Sequence, residues 1–172
     1  MNDFIIRPAK KEDASQVAKV QVETWQYAYK GQLPQEHLDK LSIEQRTKRW
    51  QEILSDQKEP RNTFVAETDN HIVGFCSAGP CGDEDMDKKT GQIWALYVDQ
   101  HTMGKGVGSA LMEKSLDYLR EQGFTKAILW VLVTNDKARK WYESRGWSCE
   151  GKTKEEIIHG TPTNDIRYFR KL

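Results

Sequence analysis

Three glycines alternate with other residues in the segment MGKGVGS, residues 103–109. A strand-like apolar run precedes this segment, and a helical pattern follows it. Glycines let successive backbone N–H groups converge on one anion, and the positive end of a helix adds to the attraction. The chemistry that this arrangement predicts is binding of a phosphate-containing ligand.

Two other phosphate-binding motifs and one purely structural use compete for these glycines. A Walker A loop ends in Gly-Lys-Ser/Thr, whereas here Lys105 follows the first glycine of the segment. A dinucleotide-binding fingerprint has the spacing G-x-G-x-x-G early in its fold, whereas Gly104, Gly106 and Gly108 are equally spaced and lie late in the chain. A tight turn alone needs one or two glycines, so three of them before a helix favour a ligand.

Metal and disulfide chemistry find no support in the sequence. The three cysteines, Cys76, Cys81 and Cys149, form no C-x-x-C pair and no cluster with zinc-ligand spacing. We therefore expect reduced thiols, with Cys76 as a small core residue, and no metal site.

The elements that position the glycine segment follow from the hydrophobic pattern. Strands are predicted at 4–7, 63–67, 72–77, 93–98, 127–133, about 150–158 and 165–170. A first helix is capped by Asp13 and ends near Gly31, and a second begins at a Ser42–Gln45 capping box and ends near Leu54. Two more follow the glycine segment and Asn135. The order is β-α-α-β-β-β-α-β-α-β-β, a mixed α/β fold.

Composition limits the function classes further. The chain has 172 residues and a formal net charge of zero, which indicates one domain over 1–172 and argues against nucleic acid as a partner. The longest apolar run, 127–133, is far shorter than the roughly 20 residues of a membrane span. The N-terminal residues lack the pattern of a signal peptide, so we expect a cytoplasmic protein without a membrane partner.

Two segments together resemble one known family. The run LYVDQHTMGKGVGSALM, residues 96–112, is similar to the acetyl-CoA pyrophosphate loop of the GNAT superfamily of N-acetyltransferases, Q/R-x-x-G-x-G/A. Residues 135–147, NDKARKWYESRGW, resemble the family's N-x-x-A-x-x-F/W-Y-x-x-x-G-F/W. The chain departs from the family at Met103, where Gln or Arg is usual, and we expect weaker anchoring rather than loss of binding.

The resemblance implies a role for each matched residue. The strands at 93–98 and 127–133 would separate, and the pantetheine arm of acetyl-CoA would enter between them. Main-chain groups of Leu96 and Val98 would bind this arm, and an N–H near Val98 would polarise the thioester carbonyl. The Asn135 side chain would bind the arm as well. The pyrophosphate would lie in the loop formed by Met103, Gly104, Lys105, Gly106, Val107, Gly108 and Ser109.

The family's general acid matches Tyr142, which would protonate the departing thiolate. From its helix position alone, Tyr142 could equally be a packed aromatic residue with a satisfied hydroxyl. The base is open, because Gln92 stands where many relatives have Glu and an amide cannot abstract a proton. Deprotonation could pass through water to one of several carboxylates, or the amine could arrive partly neutral. These carboxylates are Asp83, Glu84, Asp85, Glu155 and Glu156.

The first helix supplies candidates for the acceptor pocket. Its end, WQYAYKGQLP at residues 25–34, resembles a run in bacterial GNAT enzymes, some of which act on polyamines or other small amines. Trp25 and Tyr29 could line the pocket and hold an aliphatic chain or a cation by cation–π contact, or could simply pack the helix on the sheet. His159 could border the pocket. The acidic run 83–87 could steer a cation or be a solvated loop.

The expected function is transfer of acetyl from acetyl-CoA to a primary amine by direct attack in a ternary complex. The acceptor would be a small amine such as a polyamine, or a peptide or protein amine. Two alternatives remain: a non-catalytic acyl-CoA sensor with the same fold, and a nucleotide-binding interaction domain. The last two strands look exposed, so a homodimer is a further expectation.

Overall fold

A seven-stranded sheet forms the centre of the computed structural model, which describes residues 4–56, 58–158 and 161–172, without the side chain of Ile158. The strands are β1 (Ile5–Pro8), β2 (Asn62–Thr68), β3 (His71–Pro80), β4 (Thr90–Val98), β5 (Lys126–Leu132), β6 (Ser148–Ile158) and β7 (Thr161–Lys171). The helices are α1 (Ala14–Ala28), α2 (Gln35–Asp39), α3 (Ile43–Ser55), α4 (Val107–Glu121) and α5 (Asp136–Glu143). The predicted order and the mixed α/β class are confirmed, with α2 as an additional short helix.

The sheet has the strand order β1-β2-β3-β4-β5-β7-β6. Neighbours are antiparallel except β4 and β5, which run parallel. Only three pairs join these two strands, and the last of them is Gln92 with Ile128. Beyond that pair β4 continues for six residues and β5 for four, so the two strands separate at their carboxyl ends.

Helices cover both faces of the sheet. The apolar side of α4, including Leu111, Met112 and Leu116, packs with Cys76 in one core cluster. The helices α1 and α3 pack with Phe75 in a second cluster on the other face. Because successive side chains of a strand point to opposite faces, adjacent residues Phe75 and Cys76 belong to different cores. The prediction that Cys76 is a core residue is confirmed, and burial raises the pKa of its thiol to about 12.

Local sequence signals account for most element ends. The Ser42 hydroxyl accepts a hydrogen bond from the Gln45 amide at 3.2 Å, so the predicted helix cap is present. Asp69 and Asn70 have φ of 47° and 63° and form the two-residue turn between β2 and β3, as a hairpin requires. Within the described residues, no helix is both long and apolar enough to cross a membrane.

The expectation that Asp13 caps α1 with its side chain is wrong. Its carboxylate instead accepts the Lys10 amide at 2.7 Å and the Arg7 guanidinium at 2.7 and 3.0 Å. A short 3-10 turn, Lys11–Asp13, precedes α1, and the Asp13 carboxylate binds the amide of Lys10 at the start of this turn. The carboxylate binds the charged Arg7 guanidinium of β1 more strongly than it would bind a neutral helix amide.

Candidate active site

The opened edge of β4 is the first part of the site. The Asp99 amide donates to the Val73 carbonyl of β3 at 2.8 Å. Backbone groups of an antiparallel strand point alternately toward the partner and away from it. The N–H and C=O groups of Leu96 and Val98 therefore face away from β3, toward the gap where β5 has moved off, and of these groups the Val98 carbonyl accepts a hydrogen bond from the Thr24 hydroxyl of α1 at 3.4 Å. This is the geometry that main-chain binding of an extended ligand requires.

The glycine segment closes one end of this gap and leads into α4. Gly104 and Gly106 have φ of 80° and 86°, and nothing lies within 4 Å of the position that a Cβ would take at either residue. The Lys105 amide donates to the Thr102 carbonyl at 3.3 Å, so the turn uses it. Among the described residues no acceptor meets five amides, those of Gly104, Gly106, Val107, Gly108 and Ser109.

Unpaired amides at a helix start form a favourable place for an anion. The predicted phosphate loop therefore has its donors, except that the Lys105 amide serves the fold. Met103, the residue that departs from the family pattern, is half-buried and donates its own amide to the Asp99 carbonyl at 3.1 Å. Its backbone contributes to the turn whatever its side chain is.

Arg145, just after α5, adds a positive charge beside the loop. Its guanidinium donates to the Ser109 hydroxyl at 2.8 and 3.1 Å and lies 4.1 Å from the Trp141 ring. The Trp141 ring also lies 3.5 Å from the position that a Cβ would take at Gly108, so the ring packs closely over this glycine at the start of α4. The sequence analysis did not assign Arg145 to the site, although it lies within the matched helix motif.

Tyr142 lies on the same helix, and its ring meets Trp141, Trp147 and Tyr168 at centroid distances of 5.3, 6.3 and 6.4 Å. Burial raises the pKa of this half-buried phenol, and the nearby Cys76 and Tyr97 raise it further. A phenol with a raised pKa stays protonated at neutral pH. The packing interpretation and the proton-donor interpretation of Tyr142 are both compatible with these contacts.

Asn135 begins α5 as its N-cap residue. Its Oδ1 accepts from the Ala138 amide at 3.2 Å, which is the usual use of an asparagine at that position. Only the Nδ2 group remains for the predicted bond to the cofactor arm. That role of Asn135 stays a prediction.

Aromatic side chains meet on the face of the sheet that carries α1. Trp25 lies 5.3 Å from Tyr29 and 6.3 Å from Tyr97 of β4, and both helix residues are half-buried. Burial raises the pKa of Tyr97, and hydrogen bonds with Trp25 and Tyr29 act against that increase. The two predicted acceptor residues are thus brought together with a third, Tyr97, which the sequence analysis placed only in a central strand.

The acidic run is engaged in ion pairs. Arg167 of β7, 4% exposed, pairs with Asp83 at 2.8 Å, with Asp85 at 2.9 Å, and with Glu150. Hydrogen bonds from Arg167 and then Lys152 lower the pKa of Asp85. Two of the carboxylates proposed to receive a proton, Asp83 and Asp85, are therefore engaged in ion pairs, which favours a structural role, and the lowered pKa makes Asp85 a weak base.

Gln92 and His159 are the remaining residues that the sequence analysis singled out. Gln92 is buried, and its Oε1 accepts from the Gly82 amide at 3.2 Å, which ties β4 to the preceding loop. His159 lies outside the described residues.

A second match to a phosphate-binding pattern, which the sequence analysis overlooked, is not a phosphate loop. Residues 146–153, GWSCEGKT, fit the Walker A spacing letter for letter. A Walker A loop connects a strand to a helix. Here Gly146 follows the end of α5 and the remaining residues enter the edge strand β6, where Lys152 pairs with Asp85 at 2.7 Å.

Asp165 of β7 is the functional candidate that sequence reasoning missed. It is 8% exposed, and its Oδ1 has no hydrogen-bond partner among the described residues. No motif marks it in the sequence. The only signal was an aspartate at an alternate position of a predicted strand, where a buried residue is expected.

Comparisons with known proteins agree with this geometry. The model of the Acetyltransferase (GNAT) family matches residues 21–147. An uncharacterized N-acetyltransferase of Archaeoglobus fulgidus is 35% identical over 141 residues, which are 81% of this chain and 90% of the relative. One of Bacillus subtilis is 29% identical over 131 residues, 76% of this chain and 72% of the relative.

The fold is also found among solved structures. The PaiA N-acetyltransferase of Thermoplasma acidophilum, crystallised with coenzyme A, superposes with a TM-score of 0.72 at 20% identity, covering 98% of this chain and 99% of that one. The family match, the relatives and the shared fold lead to one conclusion: the chain belongs to the acetyltransferase (GNAT) family and is an acetyltransferase enzyme.

Proposed function

We propose that the protein transfers the acetyl group of acetyl-CoA to a primary amine by direct attack in a ternary complex. One observation carries the proposal: five amides without acceptors lie at the start of α4, beside the gap between β4 and β5. An anionic head group and an extended arm need these two features next to each other. Coenzyme A bound to the structural relative from Thermoplasma acidophilum supports the same ligand class.

The residues present fit acetyl-CoA. The unpaired amides and the Arg145 guanidinium would hold the pyrophosphate, and exposed Lys105 would add charge. Main-chain groups of Leu96 and Val98 would bind the arm, with the Asn135 Nδ2 as a further donor. Acetyl-CoA supplies the thioester, whose carbonyl carbon is the site of attack.

Two groups of the chain would assist the transfer. The Val98 N–H would donate to the thioester oxygen and stabilise the charge that develops there, because a fixed backbone dipole needs no reorganisation. Tyr142 would donate its phenolic proton to the thiolate sulfur as the carbon–sulfur bond breaks. With its raised pKa the phenol is protonated before the reaction, as a proton donor must be.

The acceptor would approach from the face that carries α1. Trp25, Tyr29 and Tyr97 offer ring surfaces to an aliphatic chain or an ammonium group there. This lining supports a small amine such as a polyamine, or the amine of a peptide, as the acceptor class.

Thiol release tests the proposal. The protein is incubated with acetyl-CoA and a panel of primary amines, and free CoA is measured with a thiol reagent, with reactions lacking amine or protein as controls. We expect amine-dependent release of CoA together with a product that is heavier by one acetyl group. Saturable binding of acetyl-CoA without release in any amine would instead identify an acyl-CoA sensor.

A further inference from the structure

A buried carboxylate on β7 has one oxygen without a hydrogen-bond partner among the described residues. Two aspartates of the described residues are buried, Asp13 and Asp165. Asp13 accepts hydrogen bonds from Arg7 and from the Lys10 amide, whereas nothing donates to the Oδ1 of Asp165. Leaving a buried charge unpaired is costly, so an unpaired carboxylate of this kind indicates a cation that is not part of the fold.

The position of Asp165 places it at the wide end of the gap. In the sheet it pairs with Leu132, the last residue of β5, four residues beyond the point where β4 and β5 separate. Its charge raises the pKa of two phenols, Tyr29 at the end of α1 and Tyr97 on β4. The carboxylate is therefore close enough to both phenols for its charge to act on them.

Asp165 lies on the face opposite α4 and α5. Side chains alternate along β7, and its neighbours Ile166 and Tyr168 pack in the cluster that contains α4. Tyr97 belongs to the other cluster, which contains α1 and α3. Asp165 thus lies on the acceptor face, across the sheet from the glycine segment.

The two cations that neighbour Asp165 on β6 and β7 are committed elsewhere, and Arg46 of α3 lies 5.8 Å from the Trp25 ring and acts on Tyr97. Lys154, its neighbour on β6, pairs with Glu156 at 2.5 Å and lies 4.4 Å from the Trp130 ring. Arg167 is held by three other carboxylates. The titratable groups that act on Asp165 are Tyr29, Tyr97, Lys154 and Glu156. Burial and then Glu156 raise the pKa of Asp165, and Lys154 lowers it by less.

We propose that the Asp165 carboxylate binds the ammonium group of the acceptor and takes one proton from it, which makes the acceptor an alkyl primary amine with a positive charge. This inference rests on the proposed acetyl transfer. An exposed aspartate has too low a pKa to be an effective base at neutral pH, and burial shifts the pKa of Asp165 upward, in the direction that a base requires.

The transfer starts with a proton: Asp165 accepts one proton from the ammonium and passes it to solvent. The freed nitrogen lone pair forms the bond to the carbonyl carbon, and the carbon–sulfur bond breaks with its electron pair on sulfur. Tyr142 gives its proton to sulfur and regains one from the new amide nitrogen.

Asp165→Asn tests the assignment, with Asp13→Asn as the matched control because it changes the other buried aspartate in the same way. The first measurement is calorimetric binding of 1,4-diaminobutane to CoA-saturated protein. The second is kcat/KM for CoA release with 1,4-diaminobutane and with aniline, which is uncharged at pH 7, between pH 5 and 9.

We expect Asp165→Asn to bind acetyl-CoA as the wild type does, to bind the diamine at least tenfold more weakly, and to lose about 10²-fold in kcat/KM for the diamine. The fall of the wild-type profile toward low pH should disappear in this variant. Activity toward aniline should change little, and Asp13→Asn should behave as wild type per folded molecule.

Other results separate the two proposals. Diamine binding and turnover in Asp165→Asn within twofold of wild type, or no diamine binding by either protein, would overturn the role of Asp165. Diamine binding that depends on Asp165, with no CoA released from any amine, would overturn acetyl transfer and retain the cation site.

Discussion

The two sides of the gap between β4 and β5 are built from different parts of the chain. On one side, the predicted donors are five backbone amides within the segment Gly104 to Ser109, all except that of Lys105, at the start of one helix. On the other side, the lining consists of side chains from distant parts of the chain, with Trp25 on α1, Tyr29 directly after α1, Tyr97 on β4 and Asp165 on β7.

The difference has a chemical consequence. Backbone amides bind an anion whatever the neighbouring side chains are, so Met103 can stand where the family usually has Gln or Arg. A single substitution at Asp165 or Trp25 would change the charge or shape of the acceptor side. We therefore expect cofactor binding to depend on backbone conformation and acceptor choice to depend on side chains.

The largest effect that separates the two sides is expected from Tyr142→Phe. Removal of the phenolic hydroxyl should lower kcat by roughly 10²-fold, because the thiolate then lacks its general acid. The Kd of acetyl-CoA should stay within twofold of the wild-type value. Steady-state CoA release and calorimetry measure the two quantities. Tyr118→Phe is the matched control, since its buried hydroxyl has no partner among the described residues and its ring packs on Phe64, away from the gap. A kcat near that of wild type would show that Tyr142 only packs.

A smaller effect, confined to the cofactor side, is expected from Gly106→Ala. The left-handed backbone at Gly106, φ 86°, costs an alanine roughly 1–2 kcal/mol, and relaxation of the loop would turn its amides away from the phosphate. We expect the Kd of acetyl-CoA to rise about tenfold. Gly123→Ala is the control, because Gly123 has φ of 85° and equally open surroundings after α4. It should lose similar stability in thermal unfolding and keep its Kd, and an equal rise in Kd would contradict the assignment.

The smallest effect is expected on the free energy of unfolding of the protein, through Asp165 on the acceptor side. The pKa of Asp165 is raised in the fold, so the unfolded chain holds its proton less tightly, and stability falls as pH rises above the ordinary value of 3.8. Asp165→Asn should therefore stabilise the protein at pH 7 by roughly 1 kcal/mol, and the gain should vanish in acid.

Substitution of Asp13 should change the free energy of unfolding at pH 7 in the opposite direction. Burial acts to raise its pKa, but the hydrogen bonds from Arg7 and Lys10 outweigh burial and lower it. Asp13→Asn should destabilise the protein at pH 7, and this loss should vanish as pH falls through the depressed pKa. Urea unfolding at several pH values checks both variants. A destabilised Asp165→Asn at pH 7 would show that its carboxylate has a structural partner.

Particular elements show why some features were predictable. The Ser42 cap, the Asp69–Asn70 turn and the glycine segment each depend on bonds within a few residues, so sequence spacing contains them. The helix α2 was missed because it has five residues and follows Pro34 without a periodic apolar pattern. Asp13 was assigned to the wrong amides because Arg7, on a strand, competes for it.

Local patterns along the chain were enough to indicate the family, the order of the elements and the predicted backbone donors of the glycine segment. Which side chains face each other across the gap depends on the tertiary structure. The tertiary structure separated β4 from β5 beyond Gln92, committed Arg167 to the acidic run, and left the Oδ1 of buried Asp165 without a hydrogen-bond partner among the described residues. The physical reason is that burial and charge pairing depend on neighbours that strand pairing brings from distant parts of the sequence.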